Sequence, residues 1–141
     1  MKRQLMALKG QISLEMLFVT AIGIAFVAFI FFFCMTSASD SIRIAQARDT
    51  VDKIAKAADL VYVLGPGSKT SVEVMMPSGI TDTSISSTRV LIRVSLSTGV
   101  NDIFAYPREN VSGSITNNSG RQTVTLLVNS SGSVVVNSTG Q

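Results

Sequence analysis

Two groups of side chains in this sequence have the type and spacing for chemistry: a carboxylate at the mouth of an apolar run, and four asparagines in Asn-x-Ser/Thr spacing near the C-terminal end. The carboxylate is Glu15. It follows a leader with Lys2, Arg3 and Lys9 and precedes residues 16–35, MLFVTAIGIAFVAFIFFFCM. About twenty uncharged residues are what an α-helix needs to cross a hydrocarbon core. A carboxylate at mid-bilayer costs roughly 2.5–3.5 kcal/mol, and less near the interface. Two readings follow. If the run is an ordinary secretory signal cut near Thr36-Ser37-Ala38-Ser39, Glu15 is an unexplained cost. If the cut falls between Gly10 and Gln11, the run is kept and Glu15 acquires a partner. A buried carboxylate requires a cation, and the cut creates one in the α-amino group of Gln11, on the same chain or a neighbouring one.

The asparagines are Asn110, Asn117, Asn129 and Asn137, each followed two positions later by Ser or Thr. With the local density of Asn, Ser and Thr, chance gives about one or two such acceptors for N-linked glycosylation. The excess points to a sugar-bearing outer surface, with a merely polar tail as the competing reading.

Catalysis has little to build on. The chain has no His, and its one Cys, Cys34, lies inside the apolar run. Beyond residue 64 the acidic residues Glu73, Asp82, Asp102 and Glu109 are dispersed singly. No metal-ligand spacing, nucleophile–base pair or phosphate loop appears, so no enzyme, metal site or cofactor is expected. Cys34 reads as a small apolar residue.

The whole chain has 12 Lys and Arg against 9 Asp and Glu, for a net charge of +3. Three of those cations are Lys2, Arg3 and Lys9, so the part beyond residue 10 carries equal numbers of each sign. The basic balance belongs to the leader and points to no nucleic-acid partner. By the positive-inside rule the leader cations hold the N-terminus in the cytoplasm and put everything after the apolar run outside.

The elements that position these residues follow from periodicity. From Asp40 onward, Ile44, Ala47, Val51, Ile54, Ala58 and Val61 recur at three- and four-residue spacing, as in an amphipathic helix. A helix unbroken from Ile12 to Leu64 would be roughly 80 Å long. Its stripe is expected to pack on the chain's own sheet; a coiled coil is disfavoured by the short repeat and the alanines. Gly65-Pro66-Gly67 ends it. Period-two alternation then predicts strands around Val72–Met76, Val90–Leu96 and Val124–Val128, with shorter ones at Ile103–Tyr106 and Val134–Val136. Residues 129–133 fit a hairpin loop.

The segment Lys9-Gly10-Gln11-Ile12-Ser13-Leu14-Glu15 ahead of an apolar helix resembles the class III signal peptide of archaeal type IV pilin-like proteins, with their Gln-x-Ser-x-Glu pattern after a basic, glycine-ended leader. Val19 stands where that family often has Leu. The likeness covers about the first 35 residues and leaves the C-terminal half unidentified. It implies an α+β, type IV pilin-like fold: a long N-terminal hydrophobic α-helix followed by a small antiparallel β domain. It implies that a prepilin peptidase cuts between Gly10 and Gln11, with Lys9 and Ser13 in the processing motif and Glu15 acting in assembly. The implied partners are copies of the chain in a helical filament, an assembly ATPase and a membrane platform protein, with the cytoplasmic membrane holding the precursor. The expected organisation is leader 1–10, hydrophobic helix 11–38, amphipathic continuation 39–64 and extracellular β domain 65–141. The expected role is a surface filament subunit for adhesion or cell contact. The alternatives are a low-copy pilin-like binding protein and an uncleaved single-pass membrane glycoprotein.

Overall fold

The computed structural model describes the backbone of residues 2–140 and the side chains of residues 14–139. One helix, α1 (Lys2–Leu64), precedes seven strands: β1 (Lys69–Met76), β2 (Ile80–Ser86), β3 (Arg89–Leu96), β4 (Gly99–Ala105), β5 (Val111–Ser114), β6 (Gly120–Val128) and β7 (Val134–Gly140). The layout is thus a long N-terminal apolar helix followed by a small, mostly antiparallel β domain. The chain divides into two units, Met1–Ala38 and Ser39–Gln141.

No Gly or Pro interrupts α1 between Ile24 and Leu64. The helix stops at Gly65, whose φ of 91° lies in the left-handed region that a side chain resists. Its N–H donates to the Tyr62 carbonyl at 3.0 Å, satisfying one of the carbonyls orphaned at the helix end.

In the second unit the strands form two sheets, β1-β6-β7-β5 and β2-β3-β4. Ala47, Val51, Ile54, Ala58 and Val61 of the helical stripe are buried in one cluster with Val74, Val90, Ile92, Val94, Val124 and Leu126 from both sheets, and Ile44 packs at its margin. The buried face is wider than the stripe, since Ala55 and Ala57 are covered too. Small alanines let the helix backbone come close to the strands, so this small domain completes its core with a helix.

The domain is not wholly antiparallel: β5 and β7 run parallel, with Val111 opposite Val134 and Ser114 opposite Asn137. The reason is topological. β7 returns from β6 by the hairpin at 129–133 and lies between β5 and β6. Those two run in opposite directions, so β7 can be antiparallel to only one of them. The approach of β5 to β7 requires Gly113, with φ 131°. A Cβ there would overlap the Val136 carbonyl oxygen and stand 2.8 Å from its carbonyl carbon.

Polar ties fix the sheet edges. β2 joins the β5 segment through Val111 N–H donating to the Ser87 carbonyl (2.9 Å) and Thr83 Oγ1 donating to the Ile115 carbonyl (2.8 Å). The helix secures the other side. Thr50 Oγ1 donates to the Met75 carbonyl of β1 at 3.0 Å. Asp40 accepts from Ser97 N–H at 3.0 Å just before β4, and Asp59 accepts from Arg108 N–H at 2.9 Å just after it.

Candidate functional site

The residues expected to direct processing and assembly lie at the start of α1. Lys9, Gly10, Gln11 and Ser13 fall outside the residues whose side chains the structure describes. Glu15 is described, on the helix and exposed, immediately before the apolar run.

From Leu14 to Met35 every large apolar side chain is exposed, from 46% at Ile30 to 71% at Phe32. By length and composition this helix is apolar enough to cross a membrane and could anchor the chain in one. The hydroxyls of Thr20, inside the run, and Thr36, just past its end, are satisfied within the helix. Thr20 Oγ1 donates to the Met16 carbonyl at 2.5 Å and Thr36 Oγ1 to the Phe33 carbonyl at 2.9 Å. A hydroxyl bonded to its own helix can enter an apolar environment at reduced cost. Along one face an open apolar groove is lined by Thr20, Gly23, Ile24, Val27, Ala28 and Phe31. The groove is open at Gly23, where a Cβ would meet nothing within 4 Å.

The second unit shows a different surface. On the outer face of β3 and β4, Arg93 grips Asp102 through Nε at 2.7 Å and Nη2 at 2.9 Å. The hydrogen bonds from Arg93 hold the Asp102 carboxyl below its ordinary range, and those to Asp102 push the guanidinium further up. Two residues along β4, Phe104 is half exposed and stands edge-to-face with the exposed Tyr106, ring centroids 5.3 Å apart. The sequence gives Tyr106 and Phe104 as part of a short strand, but it does not say that both rings turn outward. Asp102 is engaged by Arg93 in this ion pair.

The four glycosylation acceptors are placed differently. Asn117 lies in the loop between β5 and β6, where its Oδ1 accepts from Thr83 Oγ1. Asn129 opens the β6–β7 hairpin, and its Oδ1 accepts from Ser131 N–H at 2.7 Å and from the Ser131 hydroxyl. Asn137 is exposed on β7, flanked by Thr125 of β6 and Ser114 of β5. Asn110 precedes β5, and its carbonyl accepts from Val134 N–H at 3.0 Å. None of the four is buried.

Sequence reasoning missed the ties from Asp40, Thr50 and Asp59. Thr50 alone left a signal, as a polar residue inside an apolar stripe. Comparison with protein-family models, with curated proteins and with solved structures finds no match to this chain.

Proposed function

We propose that the chain is a structural subunit of an archaeal type IV pilus-like surface filament, serving adhesion or cell contact. The observation that carries this reading is the exposed apolar face from Leu14 to Met35, on a chain whose second unit, helical stripe and strands together, already closes a core of its own. An apolar helix with self-satisfied hydroxyls is stable in lipid and equally stable against copies of itself. A subunit of this kind is stored in the membrane and then transferred to a filament. Contacts that are heterologous and non-closing propagate a helical assembly without limit. The Gln-x-Ser-x-Glu segment supplies the processing step: cleavage after Gly10 by a prepilin peptidase, retention of the helix, and pairing of Glu15 with the Gln11 amine of an adjacent subunit. An assembly ATPase and a membrane platform protein would drive insertion. Residues 65–141 would face outward, and the filament would be extracellular.

The exposed pair Phe104 and Tyr106 favours a second reading, a low-copy pilin-like protein whose β domain binds a surface ligand. Abundance separates the two. Filaments sheared from the native host, imaged and analysed by mass spectrometry, should contain this chain as their dominant component. Its presence in trace amounts would favour the binding protein, and filaments lacking it would remove both readings.

A further inference from the structure

Where β2 meets β5 the second unit leaves an open cleft of about 500 Å³, within the range of small-molecule sites. Ile85, half-buried, supplies its apolar surface, with Val111 buried beneath; Ser86, Ser87 and Ser133 supply hydroxyls, and no charged residue lines it. The remaining two lining residues are Asn110 and Ser112, the acceptor asparagine and the hydroxyl of one Asn-x-Ser sequon. The sequon's backbone is pinned from both sides, by Val111 N–H on the Ser87 carbonyl and Val134 N–H on the Asn110 carbonyl. Of the four acceptors, Asn117, Asn129 and Asn137 do not line the cleft.

A cleft of neutral hydroxyls beside one partly exposed aliphatic side chain suits the surface of an uncharged polyhydroxy ring. With no aromatic face and no charge it would hold a free sugar poorly. A tethered sugar needs little affinity, because a short covalent link gives an effective concentration in the millimolar range. We infer that Asn110 carries an N-linked glycan whose first sugar lies in this cleft, bridging the β2–β3 turn, β5 and the segment entering β7. In the attachment step Asn110 Nδ2 bonds to the anomeric carbon of a lipid-linked glycosyl phosphate donor. The anomeric C–O bond breaks, its electron pair leaves on the phosphate, and the amide nitrogen gives up one proton to the released phosphate. No oxidant or reductant is involved. The inference rests on the outward placement of residues 65–141 in the proposed function.

The test is glycopeptide mass spectrometry on the full chain from its native host, followed by amide hydrogen exchange on that protein and on two variants, Asn110→Gln and Ser112→Ala. Both variants remove this sequon, and only the first changes the asparagine. Expected is a sugar on Asn110 of the native protein, and exchange several-fold faster in both variants for peptides covering Ser86–Ser87 and Ser133–Val134. Asn137→Gln should leave those peptides unchanged. A bare Asn110 in filaments that otherwise assemble would overturn the inference and leave the filament reading standing. A sugar on Asn110 with unchanged exchange in both variants would overturn the seating in the cleft. A chain found on the cytoplasmic side would instead overturn the reading on which the inference rests.

Discussion

The hydroxyl of Thr50, on the buried face of the helix, donates a 3.0 Å hydrogen bond to the carbonyl of Met75 on the edge strand β1. A sheet edge carries unpaired backbone groups that invite pairing with another chain, and this bond occupies one of them. Thr50 is fully buried. Thr50→Val keeps the shape and strands the Met75 carbonyl, which should cost about 1–3 kcal/mol. Thermal unfolding of the full chain in detergent measures it. An unchanged unfolding temperature would mean that water replaces the hydroxyl.

Ile54 is fully buried between the helix and both sheets, whereas Leu60, six residues on, is 57% exposed. Ile54→Ala should destabilise the β domain by about 2–5 kcal/mol. Leu60→Ala should stay within about 0.5 kcal/mol. Equal effects in denaturant titrations would contradict the placement of the helical stripe.

Gly113 stands where β5 approaches β7, with a left-handed φ and the Val136 backbone against it. Gly113→Ala should cost about 1–3 kcal/mol through backbone strain alone, and more if β5 is pushed off the sheet. Hydrogen exchange at Ser112 and Ser114 would report the detachment of β5 directly.

Two carboxylates make the domain acid-sensitive. Hydrogen bonding from Ser97 holds Asp40, and hydrogen bonding from Arg93 holds Asp102, below the ordinary value of 3.8. A carboxyl lowered in the folded state adds stability that is present above its unfolded value and is lost as pH falls through the folded one. The unfolding temperature should therefore drop as pH falls below about 4, and Asp40→Asn combined with Asp102→Asn should flatten that slope. Asp102 is solvent-exposed, whereas the Asp40 side chain is largely covered, so raising the salt concentration should weaken chiefly the part of the slope that Asp102 supplies.

The helical stripe and the strands carrying Val74, Val90, Ile92, Val94, Val124 and Leu126 were legible in the sequence because apolar residues repeat with the period of the element that buries them. Two strands were not. β2 reads Ile-Thr-Asp-Thr-Ser-Ile-Ser, and a register shift between Ile80 and Asp82 breaks its alternation. β5 reads Val-Ser-Gly-Ser, too short and polar to signal a strand, and it forms because β7 and the Ser87 carbonyl hold it. The parallel β5–β7 pair was also hidden, since strand order depends on contacts distant in sequence. At the candidate site the apolar run and Glu15 were plain in composition. The cleft at Asn110 was not, because Ser86, Ser112 and Ser133 meet only in the fold.

Glu15 lies at the edge of the exposed apolar helix. In the filament account it pairs with the Gln11 amine of a neighbouring subunit, so Glu15→Gln should leave cleavage after Gly10 largely intact and sharply reduce the yield of sheared filaments. Normal, abundant filaments from that variant would remove the pairing from the account.

The central claim is that the apolar helix is kept and assembled, and the N-terminal residue of the protein purified from the surface of its native host tests it most directly. Mass spectrometry should find a chain that starts at Gln11 and retains Met16–Met35. A start near Ser39 would mean that the helix is a discarded signal and would contradict the filament account. A start at Met1 would leave an uncleaved membrane glycoprotein in its place.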